Sequence, residues 1–423
     1  AAVLPRLARD ARLDRYDEFR VGFDAVCLDY VVQACQRLGW AAAAGDEEVE
    51  SVLADRLGIV PRHRQLFGRL LGILAEGGYV TRRGERWQVL RPLVAADPDD
   101  VAQRLIQQYP DGEPEVALTR RAAEHLDAAL RGLKDPLDLL FPGGSLDTAE
   151  RVYRDAPPAK TFNGFVGAVV GELASAQRGR PLRILEVGGG TGGTTAYALP
   201  ALAGQKYEYT FTDVGPLFVA KARERFGDFA GTRFATLDLE RDPGEQGFTP
   251  GSFDLIVAAN VVHATSDIRR TLRYLRALLA PGGRVAMLEA TSPQRWFDLT
   301  VGLTEGWWWF TDRELRSEYP TLPSDRWASL LQEFRFEDVA VLPGAGQTGT
   351  LGMHSLIVAG LPARAGRWIV FAGDDEVGKA VGNLLTGRGD DVEYRSVRDG
   401  FQQSVPPAAV RGGIYIPGAA DAA

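Results

Sequence analysis

Apolar positions change their period along the chain. In the first third they recur at three- and four-residue steps. Phe19, Phe23, Val26, Cys27, Tyr30, Val31 and Ala34 trace one face of an amphipathic helix. Pro61 opens a second helix, with Leu66, Leu70, Leu71 and Leu74 on its apolar side, and Gly77-Gly78 ends it. Tyr79 to Thr81 and Arg86 to Val89 flank Arg83-Gly84 and predict a hairpin. Helix followed by hairpin is a winged-helix pattern, within a segment from Leu13 to about Lys134 that reads as mostly helical. Asp155 to Lys160, with Pro157-Pro158, reads as a connector into a helix over Phe162 to Ala174.

From Ile184 onward, short apolar runs alternate with helical patterns. Ile184 to Val187, Tyr209 to Thr212, Thr232 to Leu237, Phe253 to Ala258 and Arg284 to Leu288 predict strands. Thr194 to Ala201, Asp267 to Leu279 and Ser324 to Glu333 predict helices, with Pro281-Gly282-Gly283 stopping the second. Val339 to Leu342 and Leu356 to Ala359 are expected as a closing antiparallel pair. Strand–helix alternation implies a parallel sheet covered by helices on both faces. After a Pro/Ala/Arg linker over Gly360 to Gly366, a strand–helix–strand pattern over Trp368 to Ala372, Val377 to Thr386 and Val392 to Val397 starts a second unit of this kind. Its turn, Gly373-Asp374-Asp375-Glu376, is acidic and reads as structural. The expected fold is α/β: a mostly helical, winged-helix-like lid or platform over 1–150, a Rossmann-like seven-stranded core over 151–362, and a partial Rossmann-like subdomain over 363–423.

Composition narrows the function. The chain has 423 residues, 45% hydrophobic and 25% charged, which suits two or three soluble globular domains. Its net charge of −8 argues against general nucleic-acid binding, although the wing carries Arg82, Arg83 and Arg86. No run of about 18 apolar residues predicts a membrane span, and Ala1 to Arg12 lack a signal-peptide core. Cys27 and Cys35 would lie about 12 Å apart on one helix, too far to bridge. They read as packing residues in a reducing, cytoplasmic setting. The chain begins without Met and stops just after the apolar run Gly413 to Ile416, so it reads as a piece of a longer polypeptide.

The chemistry centres on Ile-Leu-Glu-Val-Gly-Gly-Gly-Thr-Gly-Gly, residues 184–193. Gly188, Gly190 and Gly192 sit between strand and helix, where glycine lets backbone turn sharply and approach a ligand. The spacing is Gly-x-Gly-x-Gly, unlike the pyrophosphate fingerprint Gly-x-Gly-x-x-Gly. Glu186 just before it disfavours a phosphate and suits an ammonium, which points to S-adenosylmethionine. Asp213, ending the second strand about 20 residues on, is placed to bind ribose hydroxyls. Asp238, ending the third, is a candidate for the adenine amino group, and Asn260, ending the fourth, joins the cofactor-binding set. Of the four histidines, His263 is the one expected at the reacting methyl; His63 and His125 fall on the platform and His354 precedes the last strand. Glu289, at the end of the adjacent fifth strand, is expected to orient and charge-stabilise a His263 base. No Cys/His cluster has metal-ligand spacing, so no metal is assigned.

Leu185 to Gly193, Tyr209 to Asp213, Asn260-Val261-Val262-His263-Ala264-Thr265, Glu289-Ala290-Thr291, Pro293-Gln294-Arg295-Trp296 and Gly302-Leu303-Thr304-Glu305-Gly306-Trp307-Trp308 together carry a resemblance. Over about Leu13 to Gly360 the chain resembles the methyltransferase domain of modular polyketide synthases. Residues 367–423 are similar to the start of their non-catalytic, ketoreductase-like structural subdomain. The resemblance implies C-methylation of a β-ketoacyl chain held as a thioester on the phosphopantetheine arm of an acyl carrier protein. It also implies contact with neighbouring synthase domains, with His263 and Glu289 matching the family's base dyad. By the same resemblance Tyr153 is an active-site residue and Asn163 faces the cofactor. O-methylation of a hydroxyl or enol is the alternative, and an inactive docking module a remoter one that the intact motifs weigh against. The density of Trp296, Trp307, Trp308, Trp309 and Phe310 suggests an apolar wall for the acyl chain. Arg269, Arg270, Arg273 and Arg295 are candidates for a basic patch facing an acidic carrier.

Overall fold

The computed structural model describes residues 3–344, 346–362, 367–371, 376–387, 391–395 and 412–415. Its central sheet contains β1 (Leu182–Val187), β2 (Tyr207–Asp213), β3 (Thr232–Thr236), β4 (Phe253–Ala259), β5 (Leu279–Ala290), β6 (Glu337–Leu342) and β7 (His354–Gly360). The order across the sheet is β3-β2-β1-β4-β5-β7-β6. β1 to β5 are parallel, and β7 runs antiparallel to both β5 and β6. Successive residues of β1 face opposite layers: Leu185 and Val187 enter one apolar cluster and Ile184 the other. The seven strands and their pairing match the expected class I methyltransferase sheet.

Two local expectations need correction. Pro157-Pro158 does not link elements but opens the helix Pro157–Ala176. A first-turn proline has the right φ and lacks an N–H that the helix would leave unpaired anyway. Pro281-Gly282-Gly283 does not precede the fifth strand but lies inside it. Phe253 pairs with Leu279, and the ladder resumes at Leu255 with Arg284 after a register shift, so the three residues form an irregularity in a continuous strand.

The N-terminal part is helical around α1 (Leu13–Arg37) and α2 (Arg64–Glu76), and the hairpin Val80–Arg83/Arg86–Val89 gains a third strand from Glu47–Val49. Cys27 and Cys35 are free and buried on α1, and His63 of the platform is buried too. The N-terminal apolar cluster also takes in Trp296, Phe297, Leu303, Trp307 and Phe310 from beyond β5. At the other end, Arg367–Phe371 pairs in parallel with Asp391–Arg395 and Gly412–Tyr415, beside the helix Glu376–Gly387. The predicted linker from residue 363 and the acidic turn up to residue 375 lie outside the described residues.

Candidate functional site

Strand order reverses between β1 and β4, and ligands of open α/β sheets bind off the carboxyl ends of the strands at such a point. A cavity of about 610 Å³ lies there, walled on one side by the sheet and on the other by the N-terminal helices. The glycine turn after β1, the segment after β4 and the Trp-rich segment after β5 all contribute to it.

Gly188, Gly190 and Gly192 all have positive φ, at 58°, 51° and 75°. A Cβ on Gly190 would meet nothing nearer than the Gly188 carbonyl oxygen at 3.9 Å, so this turn leaves open space where a ligand passes. Gly188 and Gly190 line the cavity, whereas Gly192 does not; a Cβ there would stand 2.5 Å from the Phe226 ring. Asp213 stands behind the lining and braces the turn. Its Oδ2 accepts from the Gly190 N–H at 2.9 Å and its Oδ1 from the Gly215 N–H at 2.8 Å. Asp213 therefore pins the glycine turn, while Val214 and Phe218 just after it reach the lining. Asp238 also lies outside the lining, because its side chain turns back to accept from the Glu240 N–H at 2.8 Å.

Glu186 is fully buried and lines the cavity. Its Oε2 accepts from Thr195 Oγ1 at 2.6 Å and Tyr209 OH at 2.8 Å, but its Oε1 has no partner. Burial pushes this carboxyl up to about 7, against the pull of the two hydroxyls. A half-paired buried carboxyl fits the ammonium inferred from sequence. Asn163, on Pro157–Ala176, donates from Nδ2 to the Tyr153 carbonyl at 2.9 Å and accepts from Thr194 Oγ1 at 2.8 Å. Both line the cavity, with the Tyr153 phenol pushed up to about 12 by burial.

On the sheet side, β4 ends at Ala259 and Asn260 takes a left-handed φ of 55°, its Oδ1 accepting from the Ala290 N–H at 3.0 Å. Asparagine tolerates that conformation better than most residues. The turn it starts carries His263, whose Nδ1 is hydrogen-bonded to Glu289 Oε2. Glu289 Oε1 accepts from the Val262 N–H at 3.0 Å, so the carboxylate is held by both the ring and the turn. From behind, the buried Arg316 donates to the His263 carbonyl at 2.6 Å and pairs with Asp312 at 2.7 Å. With Nδ1 facing Glu289, Nε2 is the ring's other hydrogen-bonding atom, and His263 lines the cavity. The expected proximity of His263 and Glu289 across adjacent strands is thus present.

Trp307, expected in an apolar wall, does line the cavity, and Gln294 and His354 are site residues that sequence reasoning missed. Trp307 stands edge-on to His263, ring centroids 5.3 Å apart, with a buried Nε1 that has no partner. Gln294 accepts from Trp296 Nε1 at 3.1 Å, which turns its amide nitrogen toward His354 Nε2, 3.4 Å away. His354 lies in the cavity rather than apart from it, and burial lowers it to about 4, so it is neutral. The missed signal was the antiparallel closing strand: His354 pairs with Ala290, beside Glu289.

The profile of a family described as a methyltransferase domain matches residues 185–285. Among curated relatives, the polyketide synthase ThaG of Burkholderia thailandensis is 36% identical over 314 residues, covering 71% of this chain and 5% of the relative. The non-reducing polyketide synthase ausA of Aspergillus calidoustus is 34% identical over 293 residues, covering 67% of this chain and 12% of the relative. This chain therefore spans only a small part of those proteins. Among solved structures, the CurJ carbon methyltransferase is 40% identical with a TM-score of 0.82, covering 86% of this chain and 97% of that one. The DszA carbon methyltransferase is 32% identical with a TM-score of 0.77, covering 84% and 93%. The chain belongs to the carbon-methyltransferase domains of polyketide synthases.

In this carbon-methyltransferase domain the Trp-rich segment divides its labour. Trp296, Phe297 and Trp307 line the cavity, Trp308 is locked in the core by donating to the Gly302 carbonyl at 2.7 Å, and Trp309 is exposed. Three of the four arginines proposed for a basic patch, Arg269, Arg270 and Arg295, are engaged. Arg269 pairs with Glu314 and Arg270 with Glu240. Arg295 bonds to Glu76 at 3.0 Å and to the Asp24 carbonyl at 2.9 Å, joining the sheet side to the lid.

Proposed function

We propose that this domain transfers a methyl group from S-adenosylmethionine to the α-carbon of a β-ketoacyl thioester. The thioester is carried on the phosphopantetheine arm of an acyl carrier protein within a polyketide synthase. The observation that carries the reading is the His263–Glu289 pair, held in one orientation at the cavity wall. A proton between two carbonyls is acidic enough for a neutral imidazole to remove. His263 Nε2 takes that proton, and Glu289 fixes the tautomer and stabilises the imidazolium. Negative charge then develops on the acceptor's oxygen. The donors available for it are the unpartnered Trp307 Nε1–H and the second amide N–H of Gln294, both fixed before reaction.

The residues present fit the proposed cofactor. Glu186 Oε1 would take its ammonium, the open face of Gly190 would let its chain pass, and Asp213 would hold that turn in shape. When bound, S-adenosylmethionine supplies an electrophilic methyl on a sulfonium.

The test is the product formed from a β-ketoacyl pantetheine thioester, analysed by mass spectrometry and NMR. A methyl on the α-carbon is expected; a methyl on oxygen sinks the carbon reading. Incubation in D₂O without cofactor isolates the base. Enhanced deuterium uptake at the α-carbon by the wild type should disappear in His263→Ala, with transfer falling by about 10²–10⁴-fold. If His263→Ala methylated carbon at the wild-type rate, the base would have to be sought elsewhere, beginning with Tyr153.

A further inference from the structure

The lid wall of the cavity holds a second set of polar groups, remote in sequence from the glycine turn and the dyad. Tyr16 and Arg20 lie one helical turn apart on α1, and Glu115 lies on the helix Glu113–Ala123; all three line the same cavity. Glu115 is 1% exposed. Its Oε1 accepts from Tyr16 OH at 2.6 Å, and its Oε2 is buried with no partner. Arg20 spends NH1 on Asp24 at 3.1 Å and leaves a buried Nε–H unpaired. Buried polar atoms are almost always paired, so two orphans on one cavity wall call for a ligand that pairs them. No charged partner balances Glu115, and burial raises it to about 8, so near neutral pH it is mostly a protonated acid. With Tyr16 donating to Oε1, the acid proton belongs on Oε2. The wall therefore offers hydrogen-bond donors.

We propose that Glu115, oriented by Tyr16 and assisted by Arg20, forms a binding subsite for a carbonyl oxygen of the carried chain away from the reacting carbon. The inference rests on the methyl-transfer reading for the identity of that chain. Carbonyls of this kind come from two sources: a keto group further along the acyl chain, or an amide of the pantetheine arm. The carboxyl binds and positions; it takes no part in proton removal.

The experiment measures binding rather than turnover, so its outcome does not depend on methylation. Calorimetry on the full chain uses unreactive thioether analogues of acyl pantetheine in three forms: intact, with the arm's amides replaced by methylenes, and with a distal keto group replaced by a methylene. The wild type should prefer the intact ligand by about tenfold over one of the two deletions, and which one identifies the source. Glu115→Leu should erase that preference. Glu115→Gln, which keeps an N–H donor at the Oε2 position, should retain most of it. Tyr16→Phe, a milder change, should reduce it if Glu115→Leu does not fold. If the wild type shows no preference between the three ligands, or if it survives in both Glu115→Leu and Tyr16→Phe, the subsite does not exist. Equal weakening toward all three ligands would also overturn it, since that is the result of lost packing alone. Failure of the methyl-transfer reading would show separately, as wild-type protein that binds these ligands but methylates no β-ketoacyl thioester.

Discussion

Glu186, the proposed partner of the cofactor's ammonium, would bind it against the cost of its own burial. Held up to about 7 in the free protein, it is partly protonated at neutral pH, whereas an ammonium requires the carboxylate. A carboxyl raised above its unfolded value gives stability that is present below about 4.5 and lost as pH rises through about 7. An ammonium reverses that trend by favouring the charged form. The thermal shift produced by S-adenosylmethionine should therefore grow between pH 6 and pH 8. Taking the difference between bound and free protein cancels groups that the ligand does not touch. In Glu186→Gln the growth should vanish; a shift that rises equally in the variant would remove Glu186 as the ammonium's partner. Glu289→Gln probes a different property. The amide retains an acceptor for the Val262 N–H or the ring but no charge, so proton removal should slow while cofactor affinity holds. Trp307→Phe keeps the apolar wall and the edge-on contact but deletes the unpartnered N–H. A fall of about tenfold or more in kcat at unchanged cofactor affinity is expected if that donor meets the developing oxygen. An unchanged kcat would leave the role to Gln294.

Between elements, the lid and the sheet are fastened by charges that no local pattern reveals. Asp298, wholly buried after β5, bonds to Arg69 of α2 at 2.9 Å and to Tyr319 at 2.8 Å, and Arg295 returns to Glu76 at the end of the same helix. Burial raises Asp298 to about 6 despite the guanidinium, so near neutral pH it remains largely an anion that needs its partner. Arg69→Met should cost about 3 kcal/mol, because it strands a buried charge rather than deleting a pair. It should also speed hydrogen exchange along Arg64–Glu76. A loss below about 0.5 kcal/mol would show that the bond fastens nothing. The Arg69–Asp298 and Glu76–Arg295 ties pair residues 229 and 219 positions apart, beyond the reach of any periodicity. What sequence did reveal was short-range: strand runs, the helix Ser324–Glu333 to the residue, the positive-φ glycines and the adjacency of His263 and Glu289 on neighbouring strands. Where it misread, tertiary context decided. Pro157 starts a helix instead of a linker, and His354 reaches the cavity because the last strand runs backward.

At the scale of the whole molecule, the cavity has no complete wall on either side alone. The apolar cluster of the N-terminal helices takes in Trp296, Phe297, Leu303, Trp307 and Phe310, which follow β5 in sequence. Of these, Trp296, Phe297 and Trp307 also line the cavity, so the N-terminal helices help to build the site as well as cover it. Removing the lid would uncover several large aromatic residues at once. Each loses burial worth about 1.5–3 kcal/mol, comparable in sum to the whole stability of a domain. A chain restricted to residues 147–362 should therefore aggregate or bind a hydrophobic dye strongly. Any soluble fraction should keep some cofactor affinity, because Glu186 and the glycine turn belong to the sheet, but should lose enhanced α-proton exchange, because Trp307 and the segment around His263 are no longer buttressed. Light scattering, dye fluorescence and the D₂O assay test the three parts. A monomeric fragment that unfolds cooperatively and exchanges the α-proton at the rate of the full chain would show that the sheet builds the site alone, leaving the lid to act on substrate access.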